Sequence, residues 1–405
     1  MDLPTSTTEI MGSSSSGGTS DGTGPVASCG DGALNEGEDC DDGNAVNGDG
    51  CNVDCTPSGT LLWEYRSGDA NQDVFDAVAV TPDSRIFAAG AKTPGSQDRW
   101  LVQFAPDGAV VWSKTYDKSP FEALHAAAAD ASGVYVAGMV RVEDPRNLWV
   151  GRIDFEGEIV WEDEFISAFG PAYATGLSLT PEGDVVVAGI STLEGGAGEI
   201  WTRRYGPEGS VQWTEGVPFN DKPFYAVGPA VSAGGTQIVV GFEANPGPQA
   251  LLLAYAPSGG APVLNLTPTI GLQTIGGVAQ DVSGDILVGA YGQKNGQMLV
   301  ARLDDSAGVL WSSEDCVADF VEDVTTDSRG DVIAIGHGPW GVGRNIRLCK
   351  FSPEGDFRWG LDIDGGQGDD LGVAVATLPD DRVVAAGRML GDALMFDAWL
   401  AVYSP

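Results

Sequence analysis

Four of the six cysteines in this 405-residue chain lie in one short segment that is crowded with acidic and amide side chains. Cys29, Cys40, Cys51 and Cys55 are embedded in Gly, Asp and Asn, with too few apolar residues to form a core. Such spacing predicts two disulfides formed in an oxidising compartment, with three pairings open. Zinc is the alternative, but paired Cys-x-x-Cys knuckles and a nearby histidine are missing from the segment.

The same segment carries many oxygen atoms that could bind a hard cation, so calcium is a candidate ligand. The spacing differs from that of an EF-hand loop, and Asx-Gly turns in a disulfide module give the same composition without metal. Both interpretations stay open. The candidate metal ligands are Asp39, Asp41, Asp42, Asn44, Asn47, Asp49 and Asp54.

Catalytic residue types are scarce elsewhere in the chain. The two histidines, His125 and His337, belong to no nucleophile elbow, zincin or P-loop pattern. We expect His125 to be packed in an inner strand and His337 to begin an exposed loop. Cys316 and Cys349 are either a third disulfide or two buried thiols. The sequence therefore predicts a protein that is not an enzyme, and calcium is its only cofactor candidate.

Residues 29–55 resemble the cysteine-rich repeat of myxobacterial surface proteins. The matching pieces are Cys-Gly-Asp-Gly, then Gly-Glu-Asp-Cys-Asp-Asp-Gly-Asn, then Gly-Asp-Gly-Cys and a final Cys. This resemblance implies an exported, surface-attached protein and brings no established chemistry with it.

The rest of the chain is a repeat with a period of about fifty residues, which indicates stacked supersecondary units. A glycine closes one apolar run in each unit, at Gly90, Gly138, Gly189, Gly241, Gly289, Gly336 and Gly387. A turn of the Pro-Asp-Gly type ends a later run, and a bulky residue follows each turn. These residues are Trp112, Trp161, Trp213, Val263, Trp311 and Trp359.

Each unit is predicted to form four short strands, and the last unit stops after three of them. Gly59-Thr-Leu-Leu-Trp63 has the form of the missing strand but precedes the first unit. We therefore predict an all-β, seven-bladed β-propeller that is closed when this early strand completes the last blade. Trp100, Trp149, Trp201 and Trp399 recur at one position and are predicted inter-blade core. Arg152, Arg204, Arg302 and Lys350 recur at another and are predicted salt-bridge or loop anchors.

The propeller units also resemble the bacterial repeats called delta-sixty or SBBP repeats. Val-Val-Val-Ala-Gly and Arg-Tyr-Gly-Pro-Glu-Gly are the pieces that carry this resemblance. It implies a propeller fold and an extracellular setting, with no catalytic residues to transfer.

A ligand face is expected where the inner strands begin, because their side chains surround the channel mouth. Acids mark the sixth, seventh and first blades, and aromatic residues mark the second, third and fourth. Trp340 is expected nearby. We predict an acidic mouth for a cationic ligand, against the simpler interpretation of acids spread over an acidic surface. The acids are Asp73, Asp76, Asp319, Glu322, Asp323, Asp369 and Asp370, and the aromatic residues are Phe121, Tyr173, Phe224 and Tyr225.

Composition sets the remaining limits. A formal net charge of −37 excludes nucleic-acid partners, and no apolar run is long enough for a transmembrane helix. The domains are predicted as a disordered Ser/Gly-rich tether over 1–28, a disulfide module over 29–55 and the propeller over 59–405. Although the sequence shows no export signal, such a tether commonly follows a signal or a lipidated cysteine.

Together these features predict a monomeric, exported binding or scaffold propeller, attached to the bacterial cell surface, that recognises a protein or glycan. A quinoprotein-like enzyme is one alternative, although no cofactor-clamping cysteine pair or cation site is visible. A purely structural surface component is the other.

Overall fold

A computed structural model describes residues 29–405 except for 69–70, 94–95, 119, 142–145, 220–229, 233–237, 245–248, 263, 267–271, 282, 293–297, 317–319, 339–342, 367 and 392–394. The predicted tether over 1–28 therefore lies outside the described residues, as do Asp319, Trp340, Phe224 and Tyr225. Every regular element in the described part is a β-strand. No helix there is long and apolar enough to cross a membrane.

The described strands form seven four-stranded antiparallel sheets, one for each repeat glycine. The innermost strands touch one another in chain order, and the last of them returns to the first, which closes a ring around a central channel. The predicted all-β propeller is confirmed. Its polar turns and alternating apolar runs produce strands because each blade buries both faces against its neighbours.

The strands are numbered in chain order, and blades are listed from the inner strand outward. Blades 1 to 3 contain β2 (Val74–Val80), β3 (Ile86–Lys92), β4 (Asp98–Phe104), β5 (Val110–Tyr116); β6 (Ala123–Asp130), β7 (Gly133–Val140), β8 (Asn147–Ile153), β9 (Ile159–Phe165); and β10 (Tyr173–Leu179), β11 (Val185–Thr192), β12 (Gly198–Tyr205), β13 (Val211–Phe219). Blades 4 and 5 contain β14 (Ala230–Ser232), β15 (Ile238–Ala244), β16 (Gln249–Tyr255), β17 (Leu264–Leu266); and β18 (Leu272–Gln280), β19 (Ile286–Gly292), β20 (Met298–Leu303), β21 (Val309–Ser313). Blades 6 and 7 contain β22 (Phe320–Thr326), β23 (Val332–His337), β24 (Ile346–Phe351), β25 (Phe357–Ile363); and β26 (Asp370–Thr377), β27 (Val383–Leu390), β28 (Phe396–Tyr403), β1 (Leu61–Arg66).

The predicted closure by the early strand is confirmed. β1 pairs antiparallel with β28, from Leu61 opposite Tyr403 to Arg66 opposite Trp399. The Ser404 amide donates to Thr60 O at 2.8 Å, which continues the pairing beyond the strand end. Because both ends of the propeller meet in one sheet, that sheet covers an edge that would otherwise stay open.

The recurrent side chains occupy the structural roles predicted for them. The four tryptophans Trp100, Trp149, Trp201 and Trp399 are at most 2% exposed and pack between blades. The recurrent cations are anchors: Arg204 pairs with Asp184 at 2.6 Å, Arg302 with Asp285 at 2.9 Å, and Lys350 with Asp327 at 2.9 Å.

Neighbouring blades are joined by the tryptophans that follow the turns. At four of these joints the indole of the outer strand lies on the turn glycine of the next blade and donates its Nε1–H to a carbonyl of that turn. Trp63, for example, lies on Gly108 and donates to Pro106 O at 3.1 Å. The other hydrogen bonds run from Trp112 to Phe155 O, Trp161 to Pro207 O, Trp213 to Pro257 O and Trp311 to Pro353 O, at 2.8–3.1 Å.

The same turn carbonyls accept a second donor at three joints. Arg204 donates to Pro257 O at 2.6 Å and Arg302 to Pro353 O at 3.0 Å. Arg382 donates to Pro106 O at 3.2 Å. Trp359 packs on Gly59 of the closing blade, but its Nε1–H has no acceptor among the described residues, and Val263 lies outside them.

The cysteine-rich module is docked on the propeller, although it has too few apolar residues to form a core of its own. Polar groups make the contact instead of the apolar surface that the segment lacks. Asn52 is 5% exposed and donates to Ser404 Oγ at 3.3 Å, and Arg329 donates to Asn47 O. Gly48 lies against the buried Lys350 ammonium, where any side chain would collide with it.

Cysteine pairing differs in part from the prediction. The structure contains the Cys40–Cys51 and Cys316–Cys349 disulfides, so of the two alternatives for Cys316 and Cys349 the disulfide is the one present. The prediction of two bridges in the module is wrong, because Cys29 and Cys55 are thiols. The Cys29 thiol donates to Asn52 O at 3.2 Å. Interaction with Cys29, together with desolvation and the Glu38 charge, raises the pKa of Cys55 to about 12.

The blade joint predicts different costs for two glycine-to-alanine substitutions. Gly108 (φ +88°) and Gly183 (φ +86°) share the left-handed conformation, but a Cβ at Gly108 would lie 2.7 Å from Trp63 while a Cβ at Gly183 meets nothing within 4 Å. We expect Gly108→Ala to lower the free energy of unfolding by about 1–3 kcal/mol more than Gly183→Ala, measured in urea. Equal losses would show that the indole contact does not join the blades.

The docked module predicts that Asn52→Ala weakens its attachment. Asn52 accepts from the Gly48 amide at 3.0 Å as well as donating to Ser404. Removing these buried hydrogen bonds should cost about 1–3 kcal/mol and expose 29–55 to protease. Asn35→Ala is the matched control, because Asn35 is half-buried but its side chain bonds only within the module. Unchanged protease resistance in Asn52→Ala would contradict this docking.

Candidate functional site

The repeat glycines position the side chains that surround the channel. The inner strand of blade 1 carries a β-bulge opposite its glycine: Phe75 pairs with Gly90 and Ala77 with Ala89, which leaves Asp76 unpaired. A Cβ at Gly90 would overlap Val74 O, so the close approach of the two strands requires glycine there. The bulge turns the unpaired residue toward the channel.

The same bulge recurs in six blades, and its residues form a ring in the channel wall. A cavity of about 600 Å³ lies inside this ring. The bulge residues differ in type although the backbone repeats, so the fold does not dictate them. They are Asp76, His125, Thr175, Gly276, Glu322 and Val373 of blades 1, 2, 3, 5, 6 and 7.

Asp76 is at the centre of a charged cluster on one side of the ring. Its Oδ2 lies 3.3 Å from Nδ1 of His125, and its Oδ1 lies 3.8 Å from Nη1 of Arg388. Burial raises the pKa of Asp76, but the His125 hydrogen bond and the charges of His125 and Arg388 outweigh it and hold the pKa below its ordinary value. When the neutral imidazole donates from Nδ1 to Asp76, its Nε2 is an acceptor, the orientation used by general bases.

Glu322 of blade 6 is bound to the buried His337. The Nδ1 of His337 lies 3.0 Å from Gly338 O, and its Nε2 lies 3.1 Å from Glu322 Oε1. A carbonyl only accepts, so Nδ1 donates to it. The second bond then needs a proton on Nε2 or on the Glu322 carboxyl, and the pair is neutral overall in either form. The expectation that His337 is exposed is wrong, since it is 3% exposed.

Asp323 is the acid whose ionisation the fold opposes most clearly. It follows the bulge, at the register where other blades have Ala or Gly, and lines the cavity. Its carboxylate accepts from the amides of Val324 at 2.8 Å and Val375 at 3.0 Å. Burial raises the pKa of Asp323 to about 7, with the Glu322 charge adding to it, because the two amide bonds offset only part of the loss of water.

The opposite wall combines a cation with aromatic rings. Arg146 precedes β8 and lines the cavity with Tyr173 and Met139. Its guanidinium carbon lies 5.2 Å from the centre of the Phe121 ring. Burial raises the pKa of the Tyr173 hydroxyl, so this side chain stays neutral and can donate a hydrogen bond. The aromatic side predicted for blades 2 and 3 is therefore present, and it is also basic.

The structure brings together only part of the predicted acidic mouth. Asp76, Glu322, Asp323 and Tyr173 line the cavity, and Phe121 supports Arg146 beside it. No structural statement applies to Asp319, Trp340, Phe224 and Tyr225, which lie outside the described residues.

Three predicted acids have other partners, which corrects the idea that seven like charges converge. The carboxylate of Asp73 pairs with Lys92 at 3.0 Å, and that of Asp369 with Arg344 at 2.9 Å. Asp370 is fully buried and accepts from the amides of Gly365 and Leu390, and burial raises its pKa. These three side chains anchor the loops that lead into the inner strands of blades 1 and 7, so neutralising them would destabilise those loops.

His125, Arg146 and Arg388 line the site but were not predicted as site residues. Counting from the repeat glycines would have found His125, which has the same register as Asp76. No repeated pattern marks the two arginines, because each occurs in a single blade.

The oxygens proposed for calcium are used within the module, and the described residues contain no group of three or more His, Cys, Asp or Glu placed to hold a metal. Asp41 accepts from the amides of Gly30, Gly32 and Gly43 at 2.8–3.0 Å. The remaining candidates also make local hydrogen bonds or ion pairs: Asp42 with Cys51 N, Asn44 with Asp49, Asn47 with Val53 N and Asp54 with Thr56. Asp39 donates its amide to Cys55 O.

The raised pKa of Asp323 predicts a pH-dependent stability. Asp323 keeps its proton in the folded protein up to about pH 7, whereas the unfolded chain releases it near pH 3.8, so the contribution of this group to stability is full below about pH 4 and is lost as the pH rises to 7. In Asp323→Asn the free energy of unfolding should fall by about 1–3 kcal/mol less than in the parent between pH 5 and pH 8, measured by urea unfolding at each pH. The exposed control Asp107→Asn should keep the parent slope. An unchanged slope in Asp323→Asn would contradict the assignment.

No family model and no curated protein matches the chain. Solved structures are similar to it in fold. Sqt1 from Chaetomium thermophilum has a TM-score of 0.52 at 14% identity, covering 85% of this chain and 98% of that one. The hydrazine synthase of Kuenenia stuttgartiensis has a TM-score of 0.53 at 13% identity, covering 77% of this chain and 92% of that one. At such identities the likeness extends to the propeller fold alone.

Proposed function

We propose that this chain is an exported binding propeller, attached at the bacterial cell surface, whose ligand enters the central cavity. The observation that carries the proposal is the ring of bulge residues around about 600 Å³ of space. Ligand pockets of this size commonly hold a few fixed polar groups on a rigid frame. Asp76, Glu322 and Asp323 are such groups, because each is held by a hydrogen bond from a neighbouring strand or blade.

The surface location is supported by the cysteines and the module. The Cys40–Cys51 and Cys316–Cys349 disulfides are typical of an oxidising compartment. The resemblance of 29–55 to a cysteine-rich repeat of surface proteins, and of the blades to SBBP repeats, agrees with export. We propose a non-catalytic role, since the cavity offers no activated nucleophile among the described residues that line it.

A screen of small sugars, amino acids and short peptides against the purified chain tests this function. A ligand is expected to raise the midpoint of thermal unfolding, and isothermal calorimetry then gives its affinity. The double variant Asp76→Asn, Glu322→Gln should lose binding by tenfold or more. The control double variant Asp107→Asn, Glu156→Gln makes the same charge change at exposed turn positions and should bind the ligand as the parent does. A ligand that binds both double variants equally would refute the cavity as its site.

The Asp76–His125 pair favours a second candidate, proton-transfer catalysis on a bound ligand. In that case His125→Gln should abolish turnover of the identified ligand while its affinity changes little. Absence of any chemical change in the ligand after prolonged incubation with the parent protein would eliminate this candidate.

A further inference from the structure

The two arginines of the cavity differ in their partners. Arg388 lies 3.8 Å from Asp76 and is partly neutralised by it. Arg146 has no carboxylate within ion-pair distance among the described residues, although the chain has 58 acidic residues and only 21 Lys and Arg. A guanidinium without an acidic partner in so acidic a protein has its donors available for an anion.

The backbone and an aromatic ring hold Arg146 at the cavity wall. Its carbonyl accepts from the Ala172 amide at 2.8 Å, which ties blade 2 to the start of blade 3. Its guanidinium lies near the Phe121 ring, and Tyr173 lines the cavity beside it. The planar fork of five N–H donors suits a carboxylate, which it can bind through two parallel hydrogen bonds.

The opposite wall presents acceptors. Blade 6 lies across the ring from blades 2 and 3, and it places Glu322 and Asp323 in the cavity. Their amide and imidazole partners fix the carboxyl groups from behind. An ammonium group on a ligand would supply the donors that these oxygens lack on the cavity side.

From this polarity we infer that the cavity binds a small zwitterion, an amino carboxylate whose carboxylate meets Arg146 and whose ammonium meets Glu322 and Asp323. This inference rests on the proposed function, because it specifies the ligand of the same cavity. It also replaces the predicted purely cationic ligand, which would leave Arg146 facing a like charge.

A series of ω-amino carboxylates from glycine to 8-aminooctanoate tests the inference by calorimetry on the full chain. Affinity should pass through a maximum at one chain length, since the distance between the two walls is fixed. At that length, the carboxylate without the amine and the amine without the carboxylate should each bind roughly tenfold or more weakly.

Variants then assign the two ends of the ligand. Arg146→Gln should lower the affinity for the tightest-binding amino carboxylate by roughly tenfold to a hundredfold and leave the affinity for the simple amine unchanged. Arg85→Gln is the matched control, because Arg85 lies 4.3 Å from the Phe155 ring but outside the cavity. This control should bind like the parent.

Three results would overturn the inference: no binding across the series, equal binding of the simple amine, or full binding by Arg146→Gln. If any of them occurs while another ligand still depends on Asp76 and Glu322, the proposed function stands and only the zwitterion is wrong. If no ligand of any class binds at the cavity, both the proposed function and the zwitterion inference are wrong.

Discussion

The propeller depends on one contact that is repeated from blade to blade, an indole lying on the turn glycine of the next blade. Trp63 on Gly108 is the example at the closing blade, and it joins the first strand of the propeller to blade 1. The indole supplies apolar area and one donor, while the turn supplies a surface without Cβ and a carbonyl. The indole stabilises the joint only where a glycine turn faces it, and the glycine turn only where an indole covers it. The ring therefore closes when the early strand brings its tryptophan to the far end of the chain.

A second repeated constraint links this frame to the cavity. In six blades a glycine of the second strand allows the inner strand to bulge, and the bulge turns one residue into the channel. The backbone requires the glycine but leaves the bulge residue free to vary. Asp76, His125 and Glu322 therefore differ between blades at no cost to the fold. The fold gives a rigid ring of positions, and the choice of side chains at those positions gives the ring its chemistry.

Charge at the channel is balanced through specific partners. Asp73, Asp369 and Asp370 lie at the beginning of inner strands, but their carboxylates do not face the cavity. They anchor loops through Lys92, Arg344 and backbone amides. The cavity itself holds acids on one wall and a guanidinium on the other, so its field is polarised across the channel. The cysteine module follows the same rule, because Asn52 and Gly48 dock it on the propeller beside the buried Lys350 without an apolar interface.

The sequence by itself determined the propeller, its repeat and its closure, because tight turns and strand alternation are local signals that recur every fifty or so residues. It also marked the inter-blade tryptophans, since every blade has the same packing need. It could not determine which acids converge. Asp73 and Asp76 are three residues apart, yet a bulge in the strand puts only Asp76 in the cavity. Nor could it find Arg146, whose role depends on the ring bringing blade 2 opposite blade 6. Ion pairs and cavity walls join residues hundreds of positions apart, and only the tertiary structure sets those distances.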